Sequence, residues 1–263
     1  MRRFSEEYLS ATRAGMWTDR TALAELDLST RRRVLDVGAG TGELTRVLRE
    51  ELTGDDGQVV AVDADPGLLE QVPPPRVVGD ATRLPVAENS ADLAVCQALL
   101  VNLETPARAV EEFVRVSTDR VAAVEPDNGA VTVESTVERE RTLAWRARQL
   151  YLDGADVDPA MGAVRGLFEQ AGLADITVRR YDHVRTVEPP YTGRGLEGAR
   201  RKASGEALVD DRGTLLAAGL SAEGFDRLRS EWRAMGRQVV TQMRDQEYRR
   251  RETVPFYVTV GRV

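Results

Sequence analysis

Three glycines at alternate positions, Gly38, Gly40 and Gly42, follow directly on the apolar run Val34-Leu35-Asp36-Val37. Lacking Cβ atoms, such a turn bends sharply and lets backbone N–H groups approach a bound molecule closely. Acids recur around it. Asp36 lies two residues before the first glycine, Asp63 ends the next apolar run 27 positions later, and Asp80 sits in Gly79-Asp80-Ala81 after the third. Ionised carboxylates only accept hydrogen bonds, so they pair with cations, hydroxyls or amines. A ligand lying across all three would carry a positive group near Asp36, a diol near Asp63 and an amine-bearing base near Asp80. Other chemistry is scarce. Cys96 is the only cysteine and His183 the only histidine, which removes a disulfide framework, a cysteine zinc site and any mechanism needing two imidazoles. No metal site is expected. Lys202 is the only lysine, so phosphate-loop and Schiff-base chemistry are excluded too.

The elements that must position these residues alternate. The apolar runs 34–37, 59–62, 77–78, 92–96 and 121–124 read as strands. Between them lie helical stretches with Leu44, Val47, Leu48 and Leu52, with Leu68 and Leu69, and with Ala109, Val110, Phe113 and Val116 on one face each. Gly54 closes the first of these helices, and Pro73–Pro75 stop the second. Continuous apolar strands between amphipathic helices predict a parallel sheet covered on both faces, with ligands at the strand carboxyl ends. Later, 133–152 reads as a helix, 163–171 as another stopped by Gly172, and 176–187 as a sixth strand. Residues 188–252 read as mostly helical, with Ser221 as N-cap of a stripe through Phe225, Leu228, Trp232, Met235, Val239 and Met243. The alternating run 256–263 is a last strand, expected to pair antiparallel with the sixth. Residues 1–30 have helical spacing broken at Gly15-Met16-Trp17. The fold expected is α/β, a doubly wound, mainly parallel seven-stranded sheet with a helical cap. Its organisation is 1–30 as an N-terminal helical segment, 31–187 as the core with 133–158 as a substrate-wall insertion, 188–252 as the cap, and 253–263 as the final core strand.

The chain has 263 residues, 36 basic against 43 acidic, and a net charge of −7. That balance argues against a fold-wide nucleic-acid surface. No apolar run reaches the roughly 18 residues a membrane span needs. The start MRRFSEEYLS has two arginines followed by glutamates and no apolar core, so no secretory leader is expected and the cytoplasm is the default compartment.

The stretch Val34–Gly42, with Asp63 and Asp80, resembles the class I S-adenosylmethionine-dependent methyltransferases over about residues 30 to 130. It is most similar to small-molecule enzymes of the ubiquinone/menaquinone-methylating type. Gly79-Asp80-Ala81-Thr82-Arg83-Leu84-Pro85 is similar to that group's "D-A-x-x-L-P" segment, and Ser90–Cys96 to its "F-D-x-V" strand. S-adenosyl-L-methionine has the ammonium, ribose and adenine that the three acids call for. The resemblance implies a Rossmann-like fold and cofactor contacts from Asp36, Gly38, Ala39, Gly40, Thr41, Gly42, Asp63, Ala64, Asp80 and Ala81. It also implies that Gln97 and Ala98 lie beside the methionine part. Tyr8, Met16 and Trp17 would fold over the cofactor, with Tyr8 and Trp17 towards the substrate. Two departures bear on the acceptor. The histidine that the family often carries after its fourth strand is missing from Gln97–Leu103, and Val116–Arg120 replaces the usual "L-K-P-G-G" turn.

The expected activity is methyl transfer to a small-molecule acceptor, with no nucleic-acid partner. The alternatives are an NAD(P)-binding oxidoreductase, opposed by the glycine spacing and by Asp36 near a pyrophosphate, and a non-catalytic protein that binds S-adenosylmethionine. No catalytic residue is legible; His183, the one imidazole, is the sole candidate base. Asp65 and Glu125 read as solvated strand-end acids and Cys96 as a packed core residue. Arg200-Arg201-Lys202 and Arg249-Arg250-Arg251 read as solvated helix faces.

Overall fold

A computed structural model of the chain describes residues 15–52, 57–155 and 164–263. The expected Gly54 helix stop and any role for Tyr8 fall outside these residues.

Strands β1 (Arg33–Val37), β2 (Gln58–Asp63), β3 (Arg76–Val78), β4 (Ala91–Gln97) and β5 (Ser117–Pro126) pair in parallel in the order β3-β2-β1-β4-β5. Their central residues, including Val34, Val62, Ala94, Val95 and Val121–Val124, are buried, which is why these strands read as unbroken apolar runs. Helices α1 (Glu43–Glu51), α2 (Pro66–Leu69) and α3 (Pro106–Val116) make the crossovers. Helix α1 buries Leu44, Val47 and Leu48, and α3 starts on Pro106 and buries Ala109, Val110, Phe113 and Val116. The α3 residues join the sheet in one core, to which α5 (Val164–Gln170) adds Val164 and Phe168. Residues 16–30 form short 3₁₀ turns where α-helix was expected. Gly15 and Asp27, both at positive φ (74° and 53°), interrupt them.

The chain divides into two compact units: the described residues within 1–126, 161–181 and 256–263, and those within 127–160 and 182–255. Among the described residues the sheet has eight strands, one more than the seven expected, in the order β3-β2-β1-β4-β5-β8-β6, with β7 (Ala174–Val187) also pairing β8 (Arg250–Arg262). Strand β8 runs antiparallel to β5, with Val258 opposite Val124, and antiparallel to β6 (Thr132–Ser135), with Thr253 opposite Thr132. The helix expected over 133–152 therefore begins later, as α4 (Glu138–Asp153). Likewise, the last strand begins at Arg250, inside the stretch read as cap.

In the second unit, α6 (Gly193–Ser204), α7 (Glu206–Val209), α8 (Arg212–Ala217) and α9 (Ala222–Arg244) share a core with α4. Ser221 caps α9 by accepting the Gly224 N–H at 3.1 Å, and Phe225, Leu228, Met235, Val239 and Met243 are buried as the stripe requires. Lys202 and Arg250 correct the sequence reading. Both leave the solvent and converge on Glu140, which is 1% exposed. Glu140 also accepts from the Ser135 hydroxyl at 2.6 Å and from Tyr248 Oη at 2.9 Å. Next to it, Glu252 pairs with Arg185 at 2.7 Å, Arg148 at 3.0 Å and Arg250 at 3.3 Å. A buried charge must be paired to be tolerated, and each of these cations finds a carboxylate distant in sequence.

Candidate functional site

The glycine turn is held by the strand next to it. The N–H groups of Gly38 and Ala39 both donate to the Val62 carbonyl, at 2.8 and 3.0 Å. Gly38 has φ +73°, and a Cβ there would meet Leu99 at 2.8 Å, so glycine is required on both counts. Asp63, the residue after Val62, ties the neighbouring strand ends together. Its Oδ2 accepts the Gly40 N–H at 2.8 Å, its Oδ1 accepts the Asp65 N–H at 2.9 Å, and its carbonyl accepts the Gly79 N–H at 2.9 Å. Gly40, Asp63 and the Gly79–Asp80 end of β3 therefore meet along one edge. Asp80 Oδ1 accepts the backbone N–H and the hydroxyl of Thr82, each at 2.8 Å, and the residue is exposed. Ala81, next to it, is buried. Thr41, partly buried, and Ala64, exposed, lie in the same two turns.

Asp36 differs from the other two acids. It is 1% exposed, deeper along β1, and accepts a hydrogen bond from the Thr45 hydroxyl on α1. It thus joins strand and following helix across the glycine turn, a link for which an isolated threonine in the first helical turn is the only signal in the sequence.

Beyond β4 the chain turns at Ala98, whose φ is +48°. Gln97 is buried and reaches the 3₁₀ segment: its Oε1 accepts from Trp17 Nε1 at 3.2 Å, and its Nε2 donates to Met16 Sδ at 2.9 Å. Trp17 stacks on Tyr181 with centroids 6.1 Å apart, and Tyr181 Oη donates to the Met16 carbonyl. Burial holds the Tyr181 phenol above its ordinary value. Two sequence candidates, Gln97 and Trp17, are thereby brought together; Tyr181, on β7, left no sequence signal.

Asp65 caps α2 by accepting the Gly67 N–H at 2.9 Å, an ordinary helix start. Glu125 was misread. It is fully buried and accepts backbone N–H groups from Leu99, Leu100 and Val101. Cys96 is buried beside it, its thiol pushed well above the usual value by burial and by the Glu125 charge. His183 belongs to the second unit, buried on β7. Among the described residues, no group of three or more His, Cys, Asp or Glu side chains is placed to hold a metal ion. No described helix is long and apolar enough to cross a membrane.

A methyltransferase domain family matches residues 35–123, which run from β1 to β5. A demethylmenaquinone methyltransferase of Mycobacterium sp. (strain KMS) is 36% identical over 163 residues, covering 59% of this chain and 69% of that protein. The chain belongs to the class I S-adenosylmethionine-dependent methyltransferases. This methyltransferase is also 38% identical over 138 residues to an uncharacterized methyltransferase of Mycobacterium tuberculosis (strain H37Rv), covering 51% of each chain. It thus spans about half the length of such relatives. A solved structure from Bacillus halodurans C-125 shares the fold, with a TM-score of 0.50 at 13% identity over 92% of this chain and 98% of that one. The chain has a Rossmann-like sheet, and its glycine turn and strand-end acids lie inside the matched region.

Proposed function

We propose that the enzyme binds S-adenosyl-L-methionine across the carboxyl ends of β1, β2 and β3 and transfers its methyl group, in line, to a small-molecule acceptor. The observation that carries this reading is the Asp63 carboxylate. It uses one hydrogen bond on each oxygen, to Gly40 and Asp65. A carboxylate accepts about four, so one site per oxygen is left for the two hydroxyls of a ribose. Asp80 accepts the adenine amine on the oxygen that Thr82 does not use, and the Ala81 N–H donates to the ring. The turn Gly38–Gly42 lets the backbone approach the methionine part, with Thr41 and Ala39 in contact, Ala64 beside the ribose, and Gln97 and Ala98 at the far end. Asp36 supplies negative charge towards the ammonium. Trp17 covers the crevice from the side of β4.

When bound, the cofactor supplies a methyl group already activated by its sulfonium. The chain's own work is then alignment and exclusion of water, and orientation of this kind lowers barriers by several kcal/mol. A hydroxyl acceptor would also need a base, for which His183 is the candidate; a thiol or stabilised carbanion would not. Relatives named demethylmenaquinone methyltransferases suggest a quinol-like acceptor. The absence of histidine from Gln97–Leu103 supports a different small molecule. The compartment we assign is the cytoplasm.

Isothermal titration with S-adenosylmethionine, S-adenosylhomocysteine and NAD tests the reading. We expect binding of the first two, weakened at least about tenfold in Asp63→Ala with an unchanged circular dichroism spectrum. Binding of NAD alone, or an unaltered dissociation constant in the variant, refutes it.

A further inference from the structure

Glu125 ends the apolar run of β5 with a fully buried carboxylate that no step above uses. Its Oε1 accepts the N–H groups of Leu99 at 3.0 Å and Leu100 at 2.9 Å, and its Oε2 accepts that of Val101 at 3.4 Å. These amides open the 3₁₀ turn Leu100–Asn102, where no other residue of the turn is placed to accept them. The same short stretch touches the cofactor crevice twice. Leu99 fills the space beside Gly38, where an added Cβ would meet its Cδ1 at 2.8 Å. One residue before Ala98, Gln97 holds Met16 and Trp17.

We propose that Glu125 is a positioning residue for the cofactor crevice: its carboxylate anchors the 98–101 turn, so that Leu99 packs on Gly38 and the backbone beyond β4 keeps the shape that the methionine end of the cofactor meets. This rests on the cofactor reading given above. Glu125 acts through Leu99 and the turn.

The anchor has a protonation dependence. Burial pushes the carboxyl up to about 7, against the lowering effect of the Leu100, Leu99 and Val101 amides and the Cys96 thiol. The groups that hydrogen-bond it are Cys96 from β4, 3.5 Å away, and the three amides of the turn, while Tyr257 is its register partner on β8. Asp36 on β1 acts with Glu125 to raise the Cys96 thiol, which therefore stays protonated. Below neutrality one carboxyl oxygen becomes an O–H donor facing N–H donors, and the anchor loosens.

The test measures S-adenosylhomocysteine affinity at pH 6, 7 and 8 for the wild type, Glu125→Gln and Glu125→Asp, with hydrogen exchange of the 97–103 segment alongside. We expect Glu125→Gln to bind about fivefold more weakly than wild type at pH 8, with the gap closing to within about twofold at pH 6. Glu125→Asp, which keeps the charge on a shorter arm, should recover part of the affinity at pH 8. The amides of 99–101 should exchange about tenfold faster in Glu125→Gln. A wild-type to Glu125→Gln affinity ratio that is constant with pH overturns the proposal, as do unaltered exchange rates. Wild type that is folded but binds no S-adenosylhomocysteine refutes the cofactor reading instead, and the exchange rates then still decide whether the anchor exists. Should Glu125→Gln fail to fold, Glu125→Asp carries the same comparison.

Discussion

The strand-end edge of the first unit and the ionic knot of the second are both built around carboxylates but handle charge in opposite ways. At the edge, Asp63 and Asp80 are fixed by backbone N–H groups and by Thr82 and keep acceptor capacity to spare. In the knot, Glu140 and Glu252 are saturated by Lys202, Arg250, Arg185, Arg148, Tyr248 and Ser135. Spare capacity at an orienting carboxylate is what the proposed cofactor would use, whereas full internal pairing holds the chain together. Residue type alone does not separate the two.

The largest effect that would break this contrast is expected at Glu140. Glu140→Gln leaves Lys202 and Arg250 buried with too little counter-charge, and should cost about 3–5 kcal/mol in urea unfolding while changing S-adenosylhomocysteine affinity less than about twofold. The double variant Glu140→Gln/Lys202→Met should recover part of that loss, the signature of coupled partners. A large affinity change with intact stability would mean that the knot is a binding site.

A slightly smaller effect should follow pH. Burial alone would raise the Glu252 carboxyl, but Arg250, Arg185 and Arg148 more than offset it and hold it at about 2. A carboxyl depressed in the folded state contributes stability that is present above its unfolded value and lost as pH falls through the folded one. About 3 kcal/mol should therefore disappear between roughly pH 4.5 and 2, and Glu252→Gln should lack that portion of the acid transition. Equal slopes in the two proteins would remove Glu252 from the account. The smallest effect sharpens the other side of the comparison. Asp80→Ala, at an exposed residue, should weaken cofactor binding by about fivefold and leave the urea midpoint unmoved.

The parallel half of the fold was legible because its strands are buried on both faces and its helices carry one apolar stripe, so that each element announces itself locally. The glycine turn and the acids after β2 and β3 were legible for the same reason, being local and close to strand ends. What escaped depends on partners far along the chain. Strand β6 has only Thr132–Ser135 and is a strand because Arg250–Thr253 lies against it. Lys202 looked solvated because Glu140 is 62 residues away, and Arg250 because the same carboxylate is 110 residues away. Glu125 looked like a loop acid because the amides it serves belong to a different strand's exit.

Strand β8 has a consequence for biogenesis. Val121–Val124 of β5, paired on one side with β4, gain their second lateral neighbour only from Val258–Gly261. Everything from 127 to 249 must therefore leave the ribosome before that flank of the nascent sheet can be closed. Until then an apolar edge with unpaired backbone groups stays open to other chains, and closing it spans a very long loop. Slow translation of this middle stretch, or crowding by sister polypeptides during it, should lower the yield of folded protein.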